Sequence, residues 1–267
     1  MEMAQVGGAV ERPRNGDQVA GPALPRARDL TECMPIVRPD ARKRDGGVEV
    51  FATRLDVDAS AAAALARWLS VEERRRADRF AFDRDRRRFM VGRARLRQIL
   101  SSRLATRPEL IEFEYGPRGK PRLSSRCAGA GLRFNVSHCG DLAVYALSNG
   151  REVGVDVEAV RALPDADEIA ARFFSHREYR AYLELDPRDR PLGFFTCWTR
   201  KEAFVKALGD GLYCPLDSFD VSLAPGEPAR IRVAGGHATG NAGWAIRHLE
   251  PGAGFVGALV VRGGDIP

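Results

Sequence analysis

The sequence predicts an α+β fold, on three observations. Stretches of period-two alternation, such as Val153-Gly154-Val155-Asp156-Val157-Glu158, read as strands with one apolar face. Stretches of three- and four-residue periodicity, such as Phe194, Trp198, Val205 and Leu208 before the stop at Gly209, read as helices. The coarse order of residues 48–147, a strand, then helices, then strands, recurs over 153–266.

Residues 1–46 are rich in Pro, Gly, Ala and mixed charge and end in Arg42-Lys43-Arg44. That composition predicts a disordered tail, because it offers too little apolar surface to offset ordering entropy. Asp29, Glu32, Asp40 and Asp45 dilute its positive charge and argue against a nucleic-acid-binding arm. Residues 47–152 then form a first half and 153–267 a second. Residues 48–55 alternate as an opening strand, Asp58 caps an alanine-rich helix through Leu69, and Ser70 caps the next, to about Phe80. A longer helix follows from about Arg84 to Leu104, with Phe89, Gly92, Leu96, Ile99 and Leu100 on its buried side.

A short strand over residues 111–115 leads to Gly116-Pro117-Arg118-Gly119-Lys120-Pro121, a turn that presents one lysine. Phe134 to His138 and Leu142 to Leu147 are further strands, and Asn149-Gly150 turns the chain into Val153–Glu158. Asp165, Asp167 and Glu168 favour a helix start near residue 166, ended by Phe173-Phe174. Ser175 caps residues 177–183, and strands are expected at 219–223, 230–233, 244–249 and 255–261.

With 267 residues and 44% hydrophobic content the chain can bury a sizeable core. No run of about 18 apolar residues could cross a bilayer, and charges interrupt every apolar patch near residue 1 before a signal peptide could form, so a cytoplasmic protein without a membrane partner is expected. Five cysteines without a CxxC pair argue against a disulfide framework or structural zinc and for reduced thiols. Between Glu72 and Arg107 stand thirteen arginines against five acids, a local excess of eight in a chain whose net charge is +6. Guanidinium groups bind phosphate bidentately, so this segment implies a strongly anionic partner, unless most of these arginines form a solvated helix face.

Glu202 and Lys206, four apart, share one flank of the helix that ends at Gly209, with Lys201 nearby. On a surface such a pair is worth about 0.3 kcal/mol and means nothing more. Asp156 and Glu158 point the same way from their strand, and a fold keeps two such charges together either in open water or around a cation. A strand carboxylate pair with a helix glutamate would give the all-oxygen environment that suits Mg²⁺ and its phosphate ligands.

Gly154-Val155-Asp156-Val157-Glu158 and Trp198-Thr199-Arg200-Lys201-Glu202-Ala203-Phe204-Val205-Lys206-Ala207-Leu208-Gly209-Asp210-Gly211-Leu212, in this order, resemble the phosphopantetheinyl transferases of the type that modifies secondary-metabolite carrier proteins, the Sfp type. The resemblance runs from about residue 48 to 262. It implies two pseudo-duplicated halves, each a small antiparallel sheet packed with helices, with the active site between them. It also implies transfer of 4′-phosphopantetheine from coenzyme A to a serine of an apo acyl or peptidyl carrier protein, releasing adenosine 3′,5′-bisphosphate. Two similar halves in one chain make a monomer sufficient, and a basic segment with no interleaved aromatics beyond Phe80, Phe82 and Phe89 argues against a nucleic-acid partner. Asp156, Glu158 and Glu202 would hold Mg²⁺; Glu202 could take the serine proton and Lys206 meet the leaving phosphate. The string from Arg79 to Phe89 matches the family segment near coenzyme A, which places Arg76 and Arg88 toward its phosphates. Lys120 is expected near those phosphates, Ser137 and His138 near the 3′-phosphate, and Lys201 at the pyrophosphate. Where the family often has serine after Ser-His, this chain has Cys139. Glu178 matches a family glutamate in Phe-Phe-Ser-x-x-Glu-Tyr, and stands equally well as the third residue of a capping box begun by Ser175. Two rivals stay open: an Mg²⁺-dependent phosphohydrolase using the same acids, and an arginine-rich nucleic-acid-binding module whose affinity would fall steeply with salt.

Overall fold

Alternation and periodicity become real elements in the computed structural model, which describes residues 34–37, 47–116, 119–127, 131–209, 214–233 and 243–263. The first half comprises strands β1 (Met34–Val37) and β2 (Val48–Arg54), helices α1 (Ala59–Ala66), α2 (Val71–Ala77) and α3 (Asp83–Leu104), a 3-10 turn at Pro108–Leu110, and strands β3 (Phe113–Tyr115), β4 (Pro121–Leu123), β5 (Leu132–Cys139) and β6 (Leu142–Asn149). The second comprises strand β7 (Val153–Ala159), helices α4 (Ala166–Phe173), α5 (His176–Leu183) and α6 (Arg190–Leu208), a 3-10 turn at Leu216–Ser218, and strands β8 (Phe219–Val221), β9 (Ile231–Val233), β10 (Trp244–Leu249) and β11 (Phe255–Arg262).

The duplication is visible in strand order. Antiparallel neighbours run β1-β2-β6-β5 in one sheet and β10-β11-β7 in the other, so β2-β6-β5 in the first half is repeated as β7-β11-β10 in the second. Three helices follow β2 in the first half and β7 in the second, and a two-stranded ribbon, β3-β4 or β8-β9, follows the helices. Asp58, Ser70 and Ser175 each cap the helix expected of them, and Ser70 and Ser175 form full capping boxes with Glu73 and Glu178.

Helices α1 and α3 cover one face of the first sheet around Phe51, Leu65, Leu96, Ile99 and Tyr145. Helices α4 to α6 cover the second sheet around Phe174, Phe194, Phe204 and Val260. The faces turned away from the helices meet in a shared apolar cluster, Val48, Val50 and Val144 against Val153, Val155, Val157 and Leu259. Strands β5 and β7 also lie side by side: the Val155 N–H donates to Asn135 Oδ1 at 2.9 Å, and Ser137 and Cys139 reach Asp156 and Glu158. Residue numbers rise together along this contact, so the halves join through two parallel strands tied by side chains.

Two expectations change. Met34–Val37, inside the expected tail, pairs antiparallel with β2 as an edge strand. Averaging composition over 46 residues hid an apolar quartet, and Pro35 suits an edge, where a backbone donor is dispensable. The stretch from Ile111 begins its strand only at Phe113, since Pro108–Leu110 closes a 3-10 turn first, and residues after the lysine turn continue as β4. The Arg42-Lys43-Arg44 cluster and the Asp210–Leu212 end of the long motif lie outside the described residues.

Candidate active site

Gly154 sets the geometry. A Cβ there would stand 2.1 Å from the Ala203 carbonyl oxygen and 2.4 Å from the Ala207 nitrogen, so helix α6 lies with its backbone directly on β7. Glycine inside a strand commonly marks such an approach. Glu202 and Lys206, each next to one of those alanines, thereby come level with the carboxylates of β7. Lys206 Nζ sits 2.6 Å from Asp156 Oδ1 and donates to Ser137 Oγ at 3.1 Å. The partner of Lys206 is thus a strand carboxylate fifty residues away.

Asp156 is buried, and its Oδ1 also accepts from Ser137 Oγ at 2.8 Å. Its Oδ2 is buried without a partner among the described protein groups. The Glu202 carboxyl is pushed above its usual range, first by burial and then by the negative charge of Asp156, with Glu158 adding to the effect and Lys206 opposing it. The three carboxylates expected to share a cation therefore share one electrostatic neighbourhood. Among the described residues no three His, Cys, Asp or Glu side chains already stand in a metal-binding arrangement, and the Lys206 ammonium is the cation on Asp156. The donor set still fits a divalent cation: hard oxygens, a surplus of negative charge and one buried oxygen without a partner.

Beside this seam opens a cleft of about 680 Å³ whose lining includes Arg76, Arg88, Arg93, Phe89, Val136 and His138. Arg76 is exposed and lies over the Phe89 ring at 5.2 Å, while Arg88 is gripped by Asp56 through bonds of 2.7 and 2.5 Å. His138 has open surface yet stands among protein on several sides; the loss of surrounding water, then the Lys206 charge, lower its pKa. Gly119 lines the cleft, and its neighbour Lys120 donates to the Lys206 carbonyl at the end of α6 at 2.5 Å. The basic segment as a whole is less free than its charge suggests: Arg86 pairs with Asp83, Arg103 with Glu49, and Arg93 and Arg97 with Glu73.

Two expected site residues lie elsewhere. Lys201 is fully buried, 2.6 Å from Glu178 Oε2, and donates to the carbonyls of Leu216 and Phe219. Its three protons have acceptors, which leaves none for a pyrophosphate. Glu178 accepts from the backbone N–H groups of Ser175 and Val221, so it caps α5 and braces β8. Ser137 is buried and turned to Asp156, where a 3′-phosphate contact was expected. Asn135 and Arg93 were not singled out, and Gly154 and Cys139 were named without these roles; a glycine on the polar side of a valine strand and a cysteine where the family often has serine were the signals available.

Both halves of the chain are similar to known proteins. Residues 152–257 match the 4′-phosphopantetheinyl transferase superfamily, and residues 58–149 match the N-terminal region of 4′-phosphopantetheinyl transferases. The 4′-phosphopantetheinyl transferase HetI of Nostoc sp. is 39% identical over 81% of this chain and 88% of its own length. The chain belongs to the 4′-phosphopantetheinyl transferase family. A transferase of Bacillus pumilus is 36% identical over 62% of this chain and 69% of its own length, and Sfp of Bacillus subtilis is 32% identical over 75% and 85%. The two family matches of this transferase divide between residues 149 and 152, at the turn from β6 to β7 that also separates its repeated strand orders.

Proposed function

We propose that this transferase moves 4′-phosphopantetheine from coenzyme A to a serine hydroxyl of an apo acyl or peptidyl carrier protein, with Mg²⁺, releasing adenosine 3′,5′-bisphosphate. The observation that carries this is the meeting of Asp156, Glu158, Glu202 and Lys206 close to His138, which lines an arginine-rich cleft. Asp156, Glu158 and Glu202 would hold the cation, which when bound supplies charge neutralisation to the pyrophosphate. Arg76, Arg88 and His138 line the cleft for the remaining phosphates, and Lys120 anchors its rim to α6.

The serine oxygen forms a bond to the phosphorus that bears pantetheine, and the bond from that phosphorus to the bridging oxygen breaks. Glu202, made more basic by burial and by its acidic neighbours, takes the serine proton. Lys206 leaves Asp156 to meet charge developing on the leaving phosphate. Coenzyme A and carrier protein as substrates fit a cytoplasmic enzyme, and two similar halves in one chain make a monomer sufficient.

Incubating the protein with coenzyme A and an apo carrier, with Mg²⁺ or with a chelator, should add one phosphopantetheine to the intact mass of the carrier in the first case alone. Replacing Glu202 or Asp156 by Ala should lower turnover by about 10²-fold or more in folded protein. A carrier that stays unmodified at all Mg²⁺ concentrations would end this reading.

A further inference from the structure

The carboxylates of β7 are held by the strand beside it. Ser137 Oγ donates to Asp156 Oδ1 at 2.8 Å, and two residues on, Cys139 Sγ donates to Glu158 Oε2 at 3.2 Å. The Cys139 sulfur itself accepts from the Ala159 N–H at 3.4 Å. Alternate residues of one parallel strand thus grip alternate carboxylates of the other, one oxygen each. The oxygen left over on Asp156, Oδ2, is the buried one without a described partner.

We propose that Ser137 and Cys139 are positioning residues for the metal-binding carboxylates: each fixes one carboxylate oxygen by a hydrogen bond and so turns the other toward the cation. This rests on the metal reading of Asp156 and Glu158. A donor behind a metal-bound carboxylate restricts its rotation before the cation arrives, and losing such a donor typically weakens metal affinity by about 10- to 100-fold. A thiol meets the requirement, since it needs only one proton aimed at the carboxylate. The proposal also gives Ser137 a role distinct from phosphate contact, because its hydroxyl donates to Asp156 and accepts from Lys206 Nζ at 3.1 Å.

The test is calorimetric titration of Mg²⁺ into the full chain and, separately, of coenzyme A in the presence of chelator. Ser137→Ala and Cys139→Ala should each weaken Mg²⁺ binding by about tenfold or more, with coenzyme A affinity in chelator within about twofold of the parent. Cys139→Ser, which keeps a donor, should restore Mg²⁺ binding and stands in if Cys139→Ala fails to fold. Asp156→Ala separates the two levels. If the parent binds Mg²⁺ and Asp156→Ala abolishes it while both strand variants bind as the parent does, the positioning role is wrong and the metal site stands. If parent and Asp156→Ala bind alike, both readings fall. A loss of coenzyme A affinity for Ser137→Ala in chelator, with Mg²⁺ binding unchanged, would make Ser137 a phosphate ligand and overturn its place here.

Discussion

The two halves carry the same internal brace and use the space around it differently. In the first, Ser70 and Glu73 form a capping box, and Glu73 pairs at 2.7 Å with Arg97, whose guanidinium donates to the carbonyls of Pro108 and Ile111. In the second, Ser175 and Glu178 form the box, and Glu178 pairs with Lys201, which donates to the carbonyls of Leu216 and Phe219. Each brace ties a capped helix to the long helix and to the 3-10 turn after it. Away from the brace the likeness ends. Two and six residues beyond Arg97 the first half has Ile99 and Arg103, which face Phe51 and Glu49; the matching places beyond Lys201 are Ala203 and Ala207, which face Gly154. Gln98 follows Arg97, whereas Glu202 follows Lys201. Side chains hold α3 off its sheet and make a packed core. Their absence lets α6 sink onto β7 and turns the same frame into a site, with Asp156 where the first half has Phe51.

Breaking the second brace should have the largest effect on stability. Lys201→Ala leaves Glu178 buried without its cation and should cost about 3–5 kcal/mol, seen as a large drop in denaturation midpoint; Arg97→Ala leaves Glu73 with Arg93 at 3.4 Å and should cost less. Replacing both members of the second brace with Met should recover part of the loss. If Lys201→Ala instead melts like the parent and loses only turnover, Lys201 belongs to the chemistry and the likeness of the two braces is coincidental.

Next comes the contact that separates the halves. Gly154→Ala pushes a methyl group into helix backbone and should cost about 3 kcal/mol, with turnover falling further than stability because Glu202 and Lys206 move with α6. Glu49→Ala, at the matching place in β2, removes a partly exposed pair with Arg103 and should cost about 1 kcal/mol at most. Equal costs at the two positions would mean that helix α6 has room to shift and that close approach does not set the site.

What could be read beforehand was local. The β7 alternation, the α6 periodicity and the Ser70, Ser175 and Asp58 caps each depend on residues within one or two turns, and the structure has them all. The motif carboxylates could be named, but their neighbours could not, because Ser137 to Asp156 and Lys120 to Lys206 bridge 19 and 86 residues and leave no periodic trace. Lys201 was misplaced for the same reason: a lysine beside the site glutamate on a helix reads as a surface cation until the opposite face is known. A clue was present in the repeat of Ser-x-x-Glu, followed in each half by a basic residue, 24 positions on in the first.

A smaller effect should follow at Tyr182, which lies four residues after Glu178 where the first half has Ala77 four after Glu73. Its hydroxyl donates to Asp167 at 2.7 Å, and burial, then that bond, pushes its pKa from 10.0 up to about 12. The unfolded chain ionises first, so stability should hold below about pH 10 and fall as pH rises from there toward 12. Tyr182→Phe should cost about 1 kcal/mol at neutral pH and lose this alkaline slope; urea melts at several pH values check both, and an unchanged slope would assign it to other groups.

The smallest effect concerns the one strand without a counterpart. The first sheet is β1-β2-β6-β5 and the second β10-β11-β7, so removing β1 should leave the first half built like the second. Four residues on an edge, one of them proline, add little to a sheet whose centre is already paired on both sides. Removing residues 1–33 should leave melting temperature and turnover unchanged, and removing 1–45 should lower stability by about 1 kcal/mol with turnover intact, since β1 lies on the far side of β2 and β6 from β5 and the carboxylate seam. Thermal melts and steady-state rates on the two truncations separate these cases. A loss of turnover on removing 34–45 would mean that this segment reaches the cleft, and β1 would then be part of the substrate site and not a spare edge.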